Sequence, residues 1–466
     1  MSGDHQINAE RKYFNFRGGL PSFELEVTSS AVPAPGPKTH PKLITDTTLR
    51  DGAQDPCFAI FPNETKLKYF DLLHELDNGT GLIDSIEVFI YQKRDLWTLE
   101  KLLERGYDYP RVTTRTRATP KDIREMVRVS GGKIKETGML ASSSDHHIFD
   151  RLGFRSKQEA AEKYLAPILS ACENDITPRI HLEDATRSDV EGFVIPFIRW
   201  VMAETGGRCL FRICDTLGLG TPEPLAGLPF GIPRLVSRLY EASGAELEFH
   251  GHNDFGNGTA NTMAALRYGC KKANVTFAGF GERTGNAALE QVLVNYIREY
   301  GNPGLKLEVL TEIASLLSVE VAPIPPQLPI VGSRIYTTQA GLHQTGVQRQ
   351  AEAPGGLIYL PFDPGLLGRY NEVMHRIGAL SGIDGIVSVL NHHRETHDGN
   401  LPVFTVTSRL VKLVYDWVHD TYDGHYDTEQ GRYLDYRTTF FEPEELAWLV
   451  YEFQNRHGRS SSEPLE

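Results

Sequence analysis

Short apolar runs typical of buried strands alternate with longer segments typical of helices from residue 42 to residue 305. This alternation predicts repeated strand–helix units and a parallel sheet. Helices are expected in the intervening segments, for example over 64–77 and 158–173. The eight predicted strands are 43–49, 85–91, 111–117, 133–141, 178–184, 209–216, 246–253 and 273–279.

Eight such units within 42–305 match a (β/α)8 TIM barrel, which typically takes about 250 residues. The competing α/β architecture is an open, doubly wound sheet. That sheet would usually carry a glycine-rich phosphate turn after its first strand, and Asp51-Gly52-Ala53-Gln54 at this place is not such a turn. We therefore predict a closed barrel, in which the carboxyl ends of the strands converge on one site.

The sequence predicts three further regions around the barrel. They are an N-terminal arm and linker (1–41), post-barrel subdomains (306–400) and a mainly helical C-terminal region with a disordered tail (401–466). Within them we expect a short strand over 23–27 and helices over 307–319, 403–422 and 443–456.

Composition excludes several classes of function. The 466-residue chain has a formal net charge of −13, which argues against a nucleic-acid surface and requires local arginine or metal charge to attract an anion. Its five cysteines are scattered, so a disulfide framework or a cysteine zinc site is not expected. No apolar run approaches the roughly 20 residues of a membrane span, and the polar N-terminus lacks a signal-peptide pattern. We expect a cytoplasmic protein.

Four residues suggest a metal site. His250 and His252 lie two apart on a predicted strand, so their imidazoles share one face. Asp51 and Asn286 follow the first and last predicted strands, which are neighbours in a closed barrel. This mixed nitrogen and oxygen set suits Zn, Mn, Co or Mg without choosing between them. The alternative for Asp51 and Asn286 is a structural role in turns.

Other polar residues at predicted strand ends offer substrate contacts. Arg50 could bind a carboxylate or stabilise an oxyanion, the alternative being a surface salt bridge. Glu183 could orient a metal-bound water or the substrate, and Thr216 could donate to a substrate carboxylate. Ser143 lies in a hydroxyl-rich segment that could bind an anion, although a plain polar loop is the alternative. Glu87 is equally compatible with support of the site and with a structural ion pair.

Three motifs carry a family resemblance: Asp46 to Gln54 (DTTLRDGAQ), His250 to Asp254 (HGHND) and Gly281 to Asn286 (GERTGN). Together they resemble the metal-dependent Claisen-condensing acyltransferases, which include isopropylmalate, homocitrate, citramalate and Re-type citrate synthases. The resemblance spans residues 42–390. Pyruvate carboxylases and hydroxymethylglutaryl-CoA lyase share the barrel and metal site, but the segment around His343 and Tyr359 favours the synthases.

The resemblance implies roles for individual residues. The metal ligands would be Asp51, His250 and His252, with Asn286 as a fourth contact, and Arg50 would be the catalytic arginine. Glu183, Thr216 and His181 would contact the oxo acid, and Gln54 belongs to the first motif. On their own His343 would be a poor catalytic candidate and Tyr359 a packing residue. In the family, however, such a pair is catalytic and reaches the barrel of a partner subunit, which implies a homodimer.

Several segments most resemble Re-type citrate synthases and the related phosphinomethylmalate synthases. Glu136 replaces a usual histidine on the fourth strand, and His181 replaces a usual serine on the fifth. Because these positions shape the oxo-acid pocket, we expect Gln54, Glu136, Ser143, His181, Arg187 and Thr216 to contact the substrate. An added cation at His181 or Arg187 would suit a second anionic group, as in oxaloacetate or a phosphorus analogue of it.

The resemblance implies an aldol-Claisen condensation of acetyl-CoA with a dianionic 2-oxo acid, with hydrolysis of the CoA thioester. Oxaloacetate would give citrate, with a divalent cation as cofactor and His343, assisted by Tyr359, as the base. The alternatives are phosphinomethylmalate, homocitrate or isopropylmalate synthesis, an acyl-CoA lyase running similar chemistry in reverse, and a non-catalytic metal-binding scaffold.

Overall fold

The computed structural model describes residues 6–14, 24–25, 33, 35, 42–117, 119–349, 357–369 and 375–457. The chain divides into two compact units, Met1–Val331 and Gly332–Glu466. Most of the predicted N-terminal arm and linker (1–41) and the predicted disordered tail lie outside the described residues. Of the predicted strand over 23–27, only Glu24 and Leu25 are described, and Leu25 forms an isolated bridge with Ala226.

The first unit contains a closed barrel of eight parallel strands in sequential order, in which the last strand pairs with the first. This confirms the predicted TIM barrel. The strands are β1 Leu43–Asp46, β2 Ile83–Val88, β3 Arg111–Arg115, β4 Glu136–Ser142, β5 Thr177–Glu183, β6 Leu210–Asp215, β7 Glu246–Gly251 and β8 Lys272–Val275.

Helices alternate with these strands, as the sequence pattern predicts. They are α1 Asn63–Asp77, α2 Lys93–Glu104, α3 Pro120–Val129, α4 Lys157–Glu173, α5 Ile195–Thr205, α6 Ile232–Ser243, α7 Gly258–Tyr268, α8 Leu289–Tyr300 and α9 Val309–Glu320. Because α9 packs against α1, the first unit continues past the predicted boundary at residue 305.

The first predicted strand ends three residues early because its last carboxylate starts a turn. Asp46 accepts hydrogen bonds from the backbone N–H and the hydroxyl of Thr48. The backbone N–H groups of Arg50 and Asp51 then turn back to the carbonyl oxygen of Thr47. The turn lets the consecutive side chains of Arg50 and Asp51 face one cavity, which an extended strand would not allow.

The inside of the barrel is charged. Glu87 accepts hydrogen bonds from the guanidinium groups of Arg50, Arg179 and Arg212. Arg212 also donates to Glu248 at 2.6 Å. Glu87 is 1% exposed, and buried charges of this kind are stable only when they are paired and hydrogen-bonded. Glu87 is therefore an ion-pair partner that connects the barrel interior to Arg50.

The second unit is mainly helical, as predicted. Its helices are α10 Gly341–Arg349, α11 Ile383–Thr396, α12 Arg409–Asp423 and α13 Pro443–His457, with a hairpin of β9 His425–Asp427 and β10 Arg432–Leu434. One apolar core joins residues from Ile377 to Phe453. The predicted regions 306–400 and 401–466 therefore share a core within this unit. In the described part of the chain, no helix has both the length and the apolar character to cross a membrane.

Candidate metal and substrate site

Three potential metal ligands converge at the carboxyl ends of β1 and β7. The Nε2 atoms of His250 and His252 lie 3.8 and 3.9 Å from Oδ2 of Asp51. One ligand atom from each of the three residues lies within 4.8 Å of the other two. All three residues are buried. The geometry therefore suits a single cation held between two imidazoles and one carboxylate.

Asn286 completes this arrangement. Its Nδ2 donates to Oδ2 of Asp51 at 2.7 Å and to the carbonyl oxygen of Phe280 at 2.9 Å. Its Oδ1 is buried and has no hydrogen-bond partner among the described residues. An unpartnered buried amide oxygen is costly, and a bound cation would satisfy it. The residues present thus fit a divalent metal ion with nitrogen and oxygen ligands.

The protonation states also favour metal binding. Burial raises the pKa of Asp51, but favourable interactions, led by the charge of Arg50 and including the hydrogen bond from Asn286, outweigh this effect and hold the pKa below its usual range. Burial lowers the pKa of His250 to about 3 and lowers the pKa of His252 as well. At neutral pH the carboxylate is therefore ionised and both imidazoles are neutral, which is the state that coordinates a metal.

Arg50 is fixed beside these ligands. Its Nη1 donates to Asp51, and its Nε donates to Oε2 of Glu87 at 2.8 Å. Arg50 is only 5% exposed, so the surface salt bridge considered from the sequence is excluded. Its Nη2 makes no hydrogen bond to the described residues, which leaves a donor for a ligand next to the metal ligands.

Glu183, at the end of β5, is held as an anion. Burial raises its pKa, but interactions with His147, Arg151 and Ser142 outweigh it and lower the pKa to about 2. Nη1 of Arg151 donates to Oε1 of Glu183 at 2.9 Å. Glu183 is therefore unable to act as a proton donor near neutral pH in this state, and it can orient a ligand only through its negative charge.

Three of the predicted substrate residues lie at the carboxyl ends of the strands, where the metal ligands converge. Thr216 follows β6, and its hydroxyl accepts a hydrogen bond from the backbone N–H of Asp184. Ser143 follows β4 and donates to the carbonyl oxygen of Glu183 at 2.8 Å, which ties the two strand ends together. Gln54 ends the short helical turn after Asp51 and is exposed.

Glu136 is not brought to this site. It is the first residue of β4, whereas Ser142 is the last, so about 20 Å of strand separates it from the carboxyl end. Its carboxylate binds Nη1 of Arg179 and lies 3.9 Å from Nζ of Lys272. The expectation of a substrate contact from Glu136 is wrong in this structure because its direction along the strand places it at the amino end.

Neither predicted cation offers an unbalanced positive charge for a second anion. His181 is buried in the barrel, where burial and the charge of Arg212 hold its pKa well below the usual range, so it is neutral. Its Nε2 lies 3.3 Å from Nε of Arg179. Arg187 donates from Nε and Nη2 to the carboxylate of Asp184 at 3.0 and 2.7 Å, which balances its charge.

Two residues near the site escaped the sequence analysis. Asn274 accepts a hydrogen bond from Nδ1 of His250 through its Oδ1 at 2.8 Å. Arg115 is the last residue of β3. Both fall on predicted strands, but only the positions of neighbouring strands show that their side chains belong to this site.

His343 and Tyr359 meet within the second unit. Their ring centroids lie 4.5 Å apart, and both side chains are exposed. Gly346, one helical turn after His343, leaves space for the Tyr359 ring, because a Cβ there would lie 2.1 Å from a ring carbon. The second unit therefore presents an imidazole and a phenol side by side.

Comparisons with known proteins identify the family of this chain. Residues 42–317 match the HMGL-like family. Citrate (Re)-synthase of Clostridium kluyveri is 39% identical over 388 residues, which cover 81% of this chain and 82% of that protein. 2-Phosphinomethylmalate synthase of Streptomyces hygroscopicus is 34% identical, with 76% and 80% covered. 2-Isopropylmalate synthase 2 of Caldanaerobacter subterraneus is 30% identical, with 75% and 85% covered. The resemblance seen in the three sequence motifs is confirmed, and the chain belongs to the HMGL-like family.

Proposed function

We propose that this protein is an acetyl-CoA-dependent acyltransferase that condenses the acetyl group with a dianionic 2-oxo acid and releases free CoA by thioester hydrolysis. The preferred substrate is oxaloacetate, and the product is citrate. The observation that carries the proposal is the convergence of Asp51, His250, His252 and the unpartnered Oδ1 of Asn286 beside the fixed guanidinium of Arg50. That set matches a 2-oxo acid, which presents a carbonyl and a carboxylate together.

The metal ligands and Arg50 have complementary roles. Asp51, His250, His252 and Asn286 would hold a divalent cation, which supplies Lewis-acid polarisation of the carbonyl when bound. Arg50 is held by Glu87 and Asp51 and keeps Nη2 for the oxygen that becomes negatively charged as the new carbon–carbon bond forms. A donor fixed before the reaction stabilises that charge without reorganisation.

His343 is the proposed base for acetyl-CoA. Its imidazole takes a proton from the acetyl methyl group, and Tyr359 beside it supports the ring and the thioester oxygen. We propose that the pair acts on the barrel of a partner subunit, so that the working form is a homodimer. The exposure of both side chains in the second unit is consistent with that arrangement.

The choice of a dianionic substrate rests on the relatives whose names give citrate and 2-phosphinomethylmalate as the products. Citrate (Re)-synthase and 2-phosphinomethylmalate synthase are 39% and 34% identical to this chain, compared with 30% for 2-isopropylmalate synthase 2. A phosphorus analogue of oxaloacetate is therefore the second candidate substrate. An apolar 2-oxo acid such as 2-oxoisovalerate is disfavoured, because the barrel interior beneath the site is charged rather than apolar.

The deciding experiment measures CoA release from acetyl-CoA with Mg²⁺ or Mn²⁺ across oxaloacetate, phosphonopyruvate, 2-oxoglutarate, pyruvate and 2-oxoisovalerate. We expect turnover with oxaloacetate, or with phosphonopyruvate for the second candidate. Turnover with 2-oxoisovalerate alone would reject the dianionic assignment. If no acid of the panel supports CoA release, condensation is rejected, and the lyase and scaffold alternatives are favoured. An assay for cleavage of citryl-CoA or related acyl-CoA esters would then separate a lyase from a scaffold.

A further inference from the structure

Arg115 points into the mouth of the barrel. The preceding residue, Thr114, faces outward, since its hydroxyl contacts the sulfur of Met126 in α3 at 2.9 Å. Side chains alternate along a strand, so Arg115 faces inward. Its partner in β4 is Gly138, where a Cβ would lie 2.6 Å from Nε2 of His181. Arg115 therefore extends over an interior position that has no side chain.

The height of Arg115 in the barrel places it at the level of the metal ligands. Glu87 pairs with Thr113, two residues before Arg115. Arg115 is therefore one interior layer closer to the carboxyl end than Glu87, which itself contacts Arg50. Arg50 precedes Asp51, so these groups occupy the same end of the barrel.

Arg115 differs from the other interior arginines because no acidic group of the described residues forms an ion pair with it. Arg50 and Arg179 pair with Glu87, and Arg212 pairs with Glu248. Within the described ranges, Arg115 has no carboxylate within 4.0 Å, and its buried Nε has no hydrogen-bond partner. Burial and the neighbouring charge of Arg50 lower the pKa of Arg115 by more than the charges of Glu87, Asp51 and Tyr91 raise it. A partly buried cation without a counter-ion is unfavourable and is expected to attract an anion.

We propose that Arg115 binds the second anionic group of the substrate and so sets the preference for dianionic 2-oxo acids. This inference rests on the function proposed above and assigns the selectivity of that site to one residue. The guanidinium fork matches a carboxylate and equally a phosphonate or phosphinate, which are planar or tetrahedral oxyanions with paired acceptor oxygens. Arg115 takes the role that the sequence had suggested for His181 or Arg187, because the first is neutral and the second is held by Asp184.

Arg115→Gln and Arg115→Lys test the assignment, with Arg117→Gln as the matched control. Arg117 lies two residues further on, has a 70% exposed side chain and pairs with Asp122. Binding of oxaloacetate and of pyruvate is measured by calorimetry with saturating Mn²⁺ and without acetyl-CoA, followed by KM and kcat from CoA release. Pyruvate is the matched ligand, since it lacks only the distal carboxylate.

We expect Arg115→Gln to weaken oxaloacetate binding and raise its KM about 10- to 100-fold, the size expected for a lost charged hydrogen bond. Pyruvate binding should stay within about twofold, Arg115→Lys should recover part of the loss, and Arg117→Gln should resemble the wild type. Without substrate, the thermal midpoint of Arg115→Gln should equal or exceed that of the wild type, because an unpaired charge is removed. If Arg115 only supported the fold, the same substitution would instead lower the thermal midpoint.

Wild-type affinity for oxaloacetate in Arg115→Gln, or equal losses for oxaloacetate and pyruvate, would overturn the assignment. So would a wild-type protein that binds neither acid. A wild type that binds oxaloacetate through Arg115 but releases no CoA with any acid would reject the proposed condensation and uphold the assignment, so the two failures are distinguishable.

Discussion

Oδ1 of Asn274 lies 2.8 Å from Nδ1 of His250, and this contact fixes the ring so that Nε2 faces Asp51. The Asn274 amide is itself fixed, since its Nδ2 donates to Oγ1 of Thr45 at 2.9 Å. An imidazole held in this way presents a preset tautomer and orientation to a metal. The contact links β8 to β7 and makes the ligand geometry a property of the closed barrel.

Asn274→Ala should therefore weaken metal binding. Loss of a residue that orients a metal-ligating histidine typically costs 10- to 100-fold in affinity, and we expect a loss of about that size for Mn²⁺ in calorimetry. Asn295→Ala is the control, because Asn295 donates to the carbonyl oxygen of Gln291 on the outer helix α8. Equal Mn²⁺ affinities for the two variants would refute the orienting role.

Arg50→Ala should abolish most turnover while leaving the protein able to bind metal. Removal of a preorganised donor to a developing oxyanion typically costs a factor of about 100 to 1,000 in kcat. The measurement is kcat for CoA release with the preferred acid, alongside Mn²⁺ affinity. Arg128→Ala, at a side chain that is 70% exposed on α3, controls for loss of a positive charge. Turnover of Arg50→Ala within about tenfold of wild type, or 1.4 kcal/mol, would show that Arg50 is not catalytic.

His343→Ala should abolish condensation, and mixing it with Arg50→Ala should restore part of the activity. In a mixed dimer the intact barrel of one subunit would receive the intact His343 of the other. If equal amounts of the two variants exchange subunits at random, half of the dimers are mixed. Each mixed dimer has one complete site out of two, so about a quarter of wild-type activity is expected. If His343 serves its own barrel, or if the protein does not dimerise, the mixture stays inactive.

Glu290 should make the folding stability depend on pH. It is fully buried at the start of α8, where Oε2 accepts from the backbone N–H of Ala278 and Oε1 has no partner among the described residues. Burial raises its pKa to about 7, whereas an unfolded chain titrates near 4.3. Between these values the folded state retains a proton that the unfolded state releases. The contribution of Glu290 to the free energy of unfolding is therefore complete below about pH 4 and is lost as the pH rises through about 7.

Glu290→Gln should reduce the loss of folding stability that occurs as the pH rises. The free energy of unfolding, measured with urea at pH 5 and pH 8, should fall less in this variant than in the wild type and in the exposed control Glu312→Gln. Part of the decline should remain, because burial also raises the pKa of Asp46 to about 7. An unchanged difference between the two pH values would mean that Glu290 does not titrate in this range.

Features that depend on spacing along the chain could be predicted without the structure. The alternation of short apolar runs and longer segments was sufficient for an eight-stranded barrel, and the period of two placed His250 and His252 on one face. The end of β1 was predicted too late, since the turn begins at Asp46 and depends on hydrogen bonds to Thr48. A local side-chain contact of that kind competes with strand propensity and is not visible in an apolar pattern.

The sequence by itself determined the strand count, the side chains that alternate on each strand and four residues of the candidate metal site, Asp51, His250, His252 and Asn286. Only the tertiary structure decided which charges meet. Arg187 is neutralised by Asp184, Glu136 lies at the amino end of the barrel, and Arg115 forms no ion pair with an acidic residue in the described part of the chain. Burial makes these pairings decisive, because an unpaired charge in the interior is costly while the same charge in water is not. That cost depends on residues far apart in the chain, and barrel closure alone brings them together.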